Sequence, residues 1–416
     1  MFDLDKWQEI VYTINKNRVR TGITAFNVAF GIFILIVLMG FGTGFQNGIR
    51  NQFNDDAINS MYIGSGTTSK AFAGLQPGRE IKFTNDDFDA IAQQVEGVDK
   101  MTGRFYLTGE FTVRYDDKFS YFNIRCVHPD HAYVEKTIMQ QGRYLNDKDI
   151  NEKRKVAVIG TGVIDVLFPR RNAIGEYITI NGIKYKVVGV FHDEGNEREN
   201  KYIYIPISTS QLAYGGGKRI HQIIVTVGDA TVGESIEIQD NIHTLLASRH
   251  RFAKDDEQAI WLGNVLDDYA RWMGIFDGIR FFLAGVGFLT LIAGIVGVSN
   301  IMLIIVKERT REIGVRKAIG ATPFSIIGLF LQESLAVTLI SGYIGMLAGM
   351  LFLQSGALTE LMFSFGFPEE FFMDPNVEFS SAVIATLILA FCGTLAGYFP
   401  ARKAARIQPI EALKDE

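Results

Sequence analysis

Residues 307–322 read KERTREIGVRKAIGAT, with five cations (Lys307, Arg309, Arg311, Arg316, Lys317) and two acids (Glu308, Glu312) among the eleven residues from Lys307 to Lys317. Side chains of this kind on a helix-forming stretch can grip a charged protein surface or anionic lipid headgroups. Glu312 and Arg316 stand four apart and attract; Glu308 and Glu312 stand four apart and repel. Ile313, Val315, Ala318, Ile319 and Thr322 give the segment a modest apolar face. Gly320 suits a helix stop, Thr322 a cap, and Pro323 the first position of a new helix. The spacing therefore predicts a short helix joined closely to the segments on either side.

Three other places carry reactive residue types. Glu333 is the sole charged residue between 318 and 359. Counted from Pro323 it lies ~15 Å along a helix at 1.5 Å per residue. Asn300, with Gln332, is its expected polar partner. Two readings are open, a group on a transport or proton pathway and a buried polar clamp between helices; intramembrane polar contacts more often do the second. HPDH (128–131) brings two histidines and an aspartate together, but no third strong ligand set accompanies them, which favours a surface turn over a metal site. GGGK (215–218) resembles part of a phosphate loop but fails it, with Leu212 where the first glycine belongs and Arg219 in place of Ser or Thr. No H-E-x-x-H, G-x-S-x-G or convincing acid pair is present. The residues predict no enzyme active site, no cofactor and no metal on this chain.

The elements that must position these residues are mostly apolar. No charge occurs over 21–49, 281–306 or 379–401. A bilayer core of ~30 Å needs about 20 apolar residues in a helix, so each gap holds one span and 323–353 holds another. Four transmembrane helices are expected, at 21–44, 281–306, 323–353 and 380–400. The first reads as a signal anchor, because its apolar part is too long for a cleavable leader. Cations cluster before the first span (Lys6, Lys16, Arg18, Arg20), in 307–322, and in the tail 401–416 (Arg402, Lys403, Arg406, Lys414), whereas 354–379 has acids and no Lys or Arg. Positive residues stay in the cytoplasm. Both termini and the 307–322 segment are then cytoplasmic, and 45–280 and 354–379 face outward. Gly40 and Gly44, Gly345 and Gly349, and Gly393 and Gly397 are each four apart, a spacing that lets helix backbones approach closely; whether they meet their own chain or a second subunit is open.

The outer segment 45–280 is long enough for a soluble domain with a core of its own. YITI (177–180), KYKVVGVF (184–191), YIYI (202–205) and HQIIVTV (221–227) alternate as strands, with Asn181-Gly182 as a hairpin turn. A second hairpin is expected from EFTVRY (110–115) to FSYFNIRCV (119–127) through Asp116-Asp117. Helices are expected at 85–95 after a Thr84 cap, and at 231–248. Phe45, Ile49, Phe53 and Ala57, and Val265, Tyr269, Trp272 and Phe276, recur at helical spacing on either side of the domain and suggest stalk helices continuing from the first two spans. The fold class is thus a membrane protein of four transmembrane α-helices with a large α+β extracytoplasmic domain between the first and second. A net charge of −5 gives no hint of nucleic-acid binding. Cys126 and Cys392 fall in different regions and predict no disulfide.

GVSNIMLIIVKERTREIGVRKAIGAT, LQESL and the tail FPARKAARIQPIEALKDE resemble the MacB/FtsX-like permease family of ABC transporters. GRYLNDKDI, KVAVIG, AIGEYITINGIKYKVVGVF and YIYIPISTSQL are similar to its MacB-type periplasmic core domain. The resemblance implies a dimeric permease, of two copies or two paralogues, in the bacterial inner membrane. It implies that Glu308, Arg309, Arg311, Glu312, Arg316 and Lys317 dock on a cytoplasmic ABC ATPase, a separate subunit that binds ATP-Mg. The stalks would carry the ATPase motion to the outer domain, a mechanism called mechanotransmission. Residues 1–20, with Leu4, Trp7, Val11 and Ile14 on one face, would form an interfacial elbow helix. The expected cargo is a peptide, toxin, antibiotic or lipid-modified molecule, with a periplasmic adaptor and an outer-membrane duct as further partners. A lipoprotein-release permease of the LolC/LolE type and an FtsX-like regulator of cell-wall hydrolases are the alternatives. A secondary transporter would predict inverted repeats with broken helices, and neither is present.

Overall fold

The computed structural model describes residues 18–53, 57–107, 111–169, 171–193, 198–377 and 379–406. The expected elbow helix, Glu378 and the end of the tail lie outside the described residues. Two compact units emerge, Asn51–Met273, and Met1–Arg50 with Gly274–Glu416.

The chain enters through helix α1 (Arg18–Gln52), which starts the second of these units. The Asn51–Met273 unit then builds fourteen strands among the described residues. They are β1 (Ser60–Ser65), β2 (Phe83–Thr84), β3 (Met101–Tyr106), β4 (Thr112–Tyr115), β5 (Lys118–Tyr121), β6 (Asn123–Val127) and β7 (Ile138–Gly142). After these come β8 (Val156–Gly160), β9 (Tyr177–Ile180), β10 (Ile183–His192), β11 (Tyr202–Pro206), β12 (Arg219–Ile220), β13 (Gln222–Thr226) and β14 (Ile260–Asn264). Twelve form one sheet, in the order β14-β1-β13-β3-β6-β11-β8-β10-β9-β4-β5, with β7 beside β10. Only β6–β11 and β8–β10 are parallel among these pairs. VAVIG of β8 is buried throughout, as an unbroken apolar run in a central strand should be.

The two main helices of this unit follow from their caps. Thr84 and Asp87 form a reciprocal capping box for α2 (Asn85–Gln94), and Thr231 and Glu234 do the same for α3 (Val232–His250). Ile238, Ile242 and Leu246 of α3 recur every four residues and are buried. Asn181 (φ +45°) and Gly182 (φ +83°) take the left-handed conformations that a two-residue hairpin needs, joining β9 to β10 in register. The Asp116 turn joins β4 to β5 as expected. The single strand expected over 119–127 is instead two: β5 pairs with β4, while β6 departs to pair with β3 and β11. HPDH does form a turn, closed by the His131 amide on the His128 carbonyl, with Asp130 exposed, but its histidines face inward. His128 Nδ1 accepts from the Gly103 amide at 2.9 Å and its ring stacks on Phe88 at 4.4 Å, and His131 is wholly buried against Tyr204.

The other unit is helical. After β14 the chain forms α4 (Val265–Glu308), α5 (Thr310–Ala318), α6 (Pro323–Gln354), an eight-residue helix Ala357–Ser364, and α7 (Phe379–Ala405). Among the described residues three helices, Thr21–Gln52, Val265–Glu308 and Pro323–Gln354, are long and apolar enough to cross a membrane. α7 is helical over the residues expected for a fourth span, 380–400, but is not one of these three. α4 runs without a break from Val265, so the Val265–Phe276 stretch is helical as its spacing predicts.

All three glycine pairs pack within this chain. Gly345 and Gly349 of α6 lie on Ala29 and Ile36 of α1, Gly393 and Gly397 of α7 lie on Thr338 and Ser334 of α6, and Gly40 meets Leu353 while Gly44 meets Phe372. Each backbone comes so near its neighbour that a Cβ would collide. The buried core of Val28, Ile32, Ile36, Val298, Met302, Ile326 and Phe330 forms around these contacts.

Candidate coupling site

α4 ends where Arg309 leaves helical geometry at φ −99° and ψ 13°. The next residue explains the bend: Thr310 Oγ1 donates to the carbonyls of Val306 (3.2 Å) and Lys307 (2.9 Å), a back-bonding pattern that turns helices. α5 then runs nine residues. Gly320 follows at φ +106°, a conformation L side chains rarely adopt. Thr322 Oγ1 accepts from the Ser325 amide at 3.3 Å, with Pro323 opening α6. The stop, cap and restart expected from Gly320, Thr322 and Pro323 are all present.

The segment has two sides. On the inner side, Arg309 Nη1 lies 3.8 Å from Glu333 Oε2 of α6. Glu333 is 3% exposed, so this guanidinium compensates a charge set deep among helices. Asn300, the partner expected for Glu333, is exposed. The expectation failed because a long arginine can reach down from beyond the helix end, a contact that counting along the span does not reveal. Ile313 and Gly314 are buried, with Ile313 in the same core as Ala401 and Ala404 of α7. Lys317 Nζ donates to the Ala405 carbonyl at 2.7 Å, satisfying one of the last carbonyls of α7.

The outer side carries Glu308, Arg311 and Glu312. Arg316 Nη2 and Glu312 Oε1 pair at 2.7 Å across one turn, which fixes both side chains on that surface. The apolar face expected from Ile313, Val315, Ala318, Ile319 and Thr322 divides. Ile313 points inward, whereas Val315, Ile319 (82% exposed) and neighbouring Phe324 (86% exposed) stand uncovered. Of the six charged residues singled out in the sequence, Arg309 and Lys317 thus reach inward to α6 and α7. Glu308, Arg311, Glu312 and Arg316 border an apolar patch of Val315, Ile319 and Phe324. Sequence reading missed Phe324 as part of this surface because it belongs to the start of an apolar span.

The Asn51–Met273 unit holds charged residues that no motif marks. Glu135 binds the guanidinium of Arg104 and, at 2.9 Å, that of Arg125; Arg125 also meets Glu199 at 2.9 Å. Burial works against the Arg125 charge, but Tyr204, Glu199 and Tyr202 around it raise its pKa. Burial also pushes Glu199 up and His131 well down, the latter helped by Arg104 and Arg125. Pairing of β3 with β6 and of β6 with β11 brings Arg104, Arg125 and the residues beside Tyr202 together, and Glu135 joins them from the end of the short helix His131–Val134.

The sequence matches the profile of the MacB-like periplasmic core domain over residues 21–239 and that of the FtsX-like permease C-terminal region over 284–409. A macrolide export ATP-binding/permease protein MacB of Bdellovibrio bacteriovorus is 28% identical over 97% of this chain and 60% of its own length. The chain therefore spans about 60% of that relative. An uncharacterized ABC transporter permease of Methanocaldococcus jannaschii is 29% identical over 97% of this chain and 96% of its own length. The crystal structure of the periplasmic region of MacB from Actinobacillus actinomycetemcomitans aligns with 53% of this chain and 95% of that one, at 20% identity and a TM-score of 0.43. With the core domain and the permease region matched in order along its length, the chain belongs to the MacB/FtsX-like family of ABC transporter permeases.

Proposed function

We propose that this chain is the membrane subunit of a MacB-like exporter of the bacterial inner membrane, itself non-catalytic. In this reading a cytoplasmic ABC ATPase holding ATP-Mg docks on the outer side of α5. Helices α1, α4, α6 and α7 are the four spans, both termini are cytoplasmic, and the Asn51–Met273 unit is extracytoplasmic. Two permeases pair, and the extensions of α1 and α4 act as stalks that pass ATPase motion outward. The cargo class is a peptide, toxin, antibiotic or lipid-modified molecule; the macrolide in the relatives' name is one such antibiotic. A periplasmic adaptor and an outer-membrane duct complete the assembly.

The observation that carries this reading is the two-sided segment 307–322. Its inner side is tied to α6 by Arg309–Glu333 and to α7 by Lys317–Ala405. Its outer side leaves Val315, Ile319 and Phe324 uncovered beside fixed charges. A push on such a segment moves the helices it is tied to.

The test exchanges Glu312 and Arg316 (Glu312→Arg with Arg316→Glu). The exchange keeps an ion pair within the helix, at a cost of only a few tenths of a kcal/mol, but inverts the surface. Hydrolysis by the cognate ATPase, assayed with the permease in lipid nanodiscs, should fall to the level of the ATPase alone while the permease still inserts. Unchanged coupled hydrolysis would remove docking at α5.

A further inference from the structure

The Asn51–Met273 unit contains a cleft of about 710 Å³ that its buried charges do not by themselves explain. Its walls come from β3, β5, β6 and the start of β11. Alternation along strands puts Arg104 and Tyr106 on one face of β3, and the register sets Tyr106 opposite Arg125. Tyr202, at the start of β11, lies flat enough to hold the Arg125 guanidinium 4.0 Å from its ring centre, a cation–π distance. Tyr121 of edge strand β5 stands 63% exposed in the wall, and Lys201 is exposed at the cleft.

The distribution of charge is lopsided. Among the described lining residues Arg104, Arg125 and Lys201 are cationic and none is acidic. The two carboxylates that neutralise the arginines, Glu135 and Glu199, are not among those lining residues. All three ion pairs therefore present their positive ends to the cavity, and Lys201 adds a positive charge with no ion-pair partner among the described residues. The guanidinium groups are already held by buried acids, so a ligand would not have to immobilise them. Arg104 Nε is buried and has no hydrogen-bond partner among the described residues, so it is the terminal guanidinium nitrogens that a ligand would meet. Three tyrosine rings supply flat apolar surface.

We infer that this cleft binds a small organic anion whose charge is carried on an aromatic or flat apolar body: the anionic group lies toward Lys201 and the arginines, and the ring against Tyr106, Tyr121 and Tyr202. The site is distinct from the coupling surface, and its occupancy requires neither ATP nor an ATPase. A macrolide-like cation is the wrong charge for it.

The probe is 2-naphthalenesulfonate, titrated against the full chain in lipid nanodiscs, with empty nanodiscs as background. Neutral 2-naphthol and cationic 2-naphthylmethylammonium serve as comparisons. The sulfonate should bind one per chain, more tightly than either comparison, and bind more weakly as salt rises. Arg104 and Arg125 variants would disturb the buried ion pairs, so the informative changes are at exposed positions. Lys201→Glu and Tyr121→Ala should each weaken binding about tenfold, and Lys201→Arg should retain it. The proposal is overturned by no sulfonate binding above empty discs, by equal or tighter binding of the cation, or by affinity indifferent to Lys201→Glu and Tyr121→Ala. None of these outcomes bears on docking at α5, which is read by ATP hydrolysis.

Discussion

At the scale of single residues, Arg309 and Glu333 matter most, because their charges meet at 3.8 Å where Glu333 is almost wholly enclosed. Deleting one member of a buried pair costs ~3–5 kcal/mol, whereas replacing both with apolar groups is often neutral. Arg309→Leu should therefore lower the thermal midpoint of the nanodisc-embedded chain sharply, and adding Glu333→Leu should restore most of the loss. Equal instability of the single and double variants would show that the pair is not what matters. Glu333→Gln should lower stability more than it alters any proton dependence of transport; a stable Glu333→Gln variant that no longer transports would revive the pathway reading. His128 supports a different prediction. Burial lowers its pKa to about 4 from an ordinary 6.5. The unfolded chain then binds a proton that the folded chain refuses, so stability falls as pH drops below 6.5 and levels off near 4. The loss from this one group is at most about 3 kcal/mol, less to the extent that solvent reaches the ring. His131, also lowered by burial, adds to it. His128→Asn should flatten the pH 6.5-to-4 fall in the urea midpoint of the Asn51–Met273 unit; an unchanged slope would exonerate His128.

At the scale of elements, the glycines decide how near the helices come. Gly345 lies against the Ala29 backbone, and Gly278 has open space around it. Gly345→Val must separate α6 from α1 and should cost ~1–3 kcal/mol by overpacking, seen as a lower thermal midpoint. Gly278→Val serves as the matched control and should be milder. Spacing of four residues announced these contacts in the sequence, because small residues at that interval have one principal use in lipid; it did not say which helix each would meet. The hairpin at Asn181-Gly182 and the cap at Thr84 were legible because each depends on residues close together in the chain; the helix expected from residue 231 begins one residue later, with Thr231 as its cap. β5 and β6 were read as one strand because alternation continues through Phe122, and only pairing with β3 and β11, far away in sequence, reveals the break. The inward turn of Arg309 and Lys317 was equally hidden: local spacing gives their charge but not the depth of Glu333 or the position of the Ala405 carbonyl. The Arg104–Glu135–Arg125–Glu199 network had no signal at all, because charge pairs with such separations leave no pattern.

At the scale of the whole molecule, the reading requires the 307–322 segment and the Asn51–Met273 unit to face opposite sides of one membrane. The cation counts favour that arrangement, and it can be tested by labelling single cysteines. The chain supplies a quiet background. Cys126 is fully enclosed, and burial raises its thiol to about 12, so almost no thiolate exists at neutral pH to meet a maleimide. Cys392 is only half-buried, and Cys392→Ala would remove it. Ile319→Cys and Tyr121→Cys then report the two sides, both parent residues being well exposed. With whole cells or right-side-out vesicles, an impermeant maleimide should label Tyr121→Cys alone; after inversion of the vesicles it should label Ile319→Cys alone. Labelling of both from the same side would place the 307–322 segment and the Asn51–Met273 unit on one side of the membrane. No cytoplasmic nucleotide could then drive the unit through that segment, whatever the family to which the chain belongs.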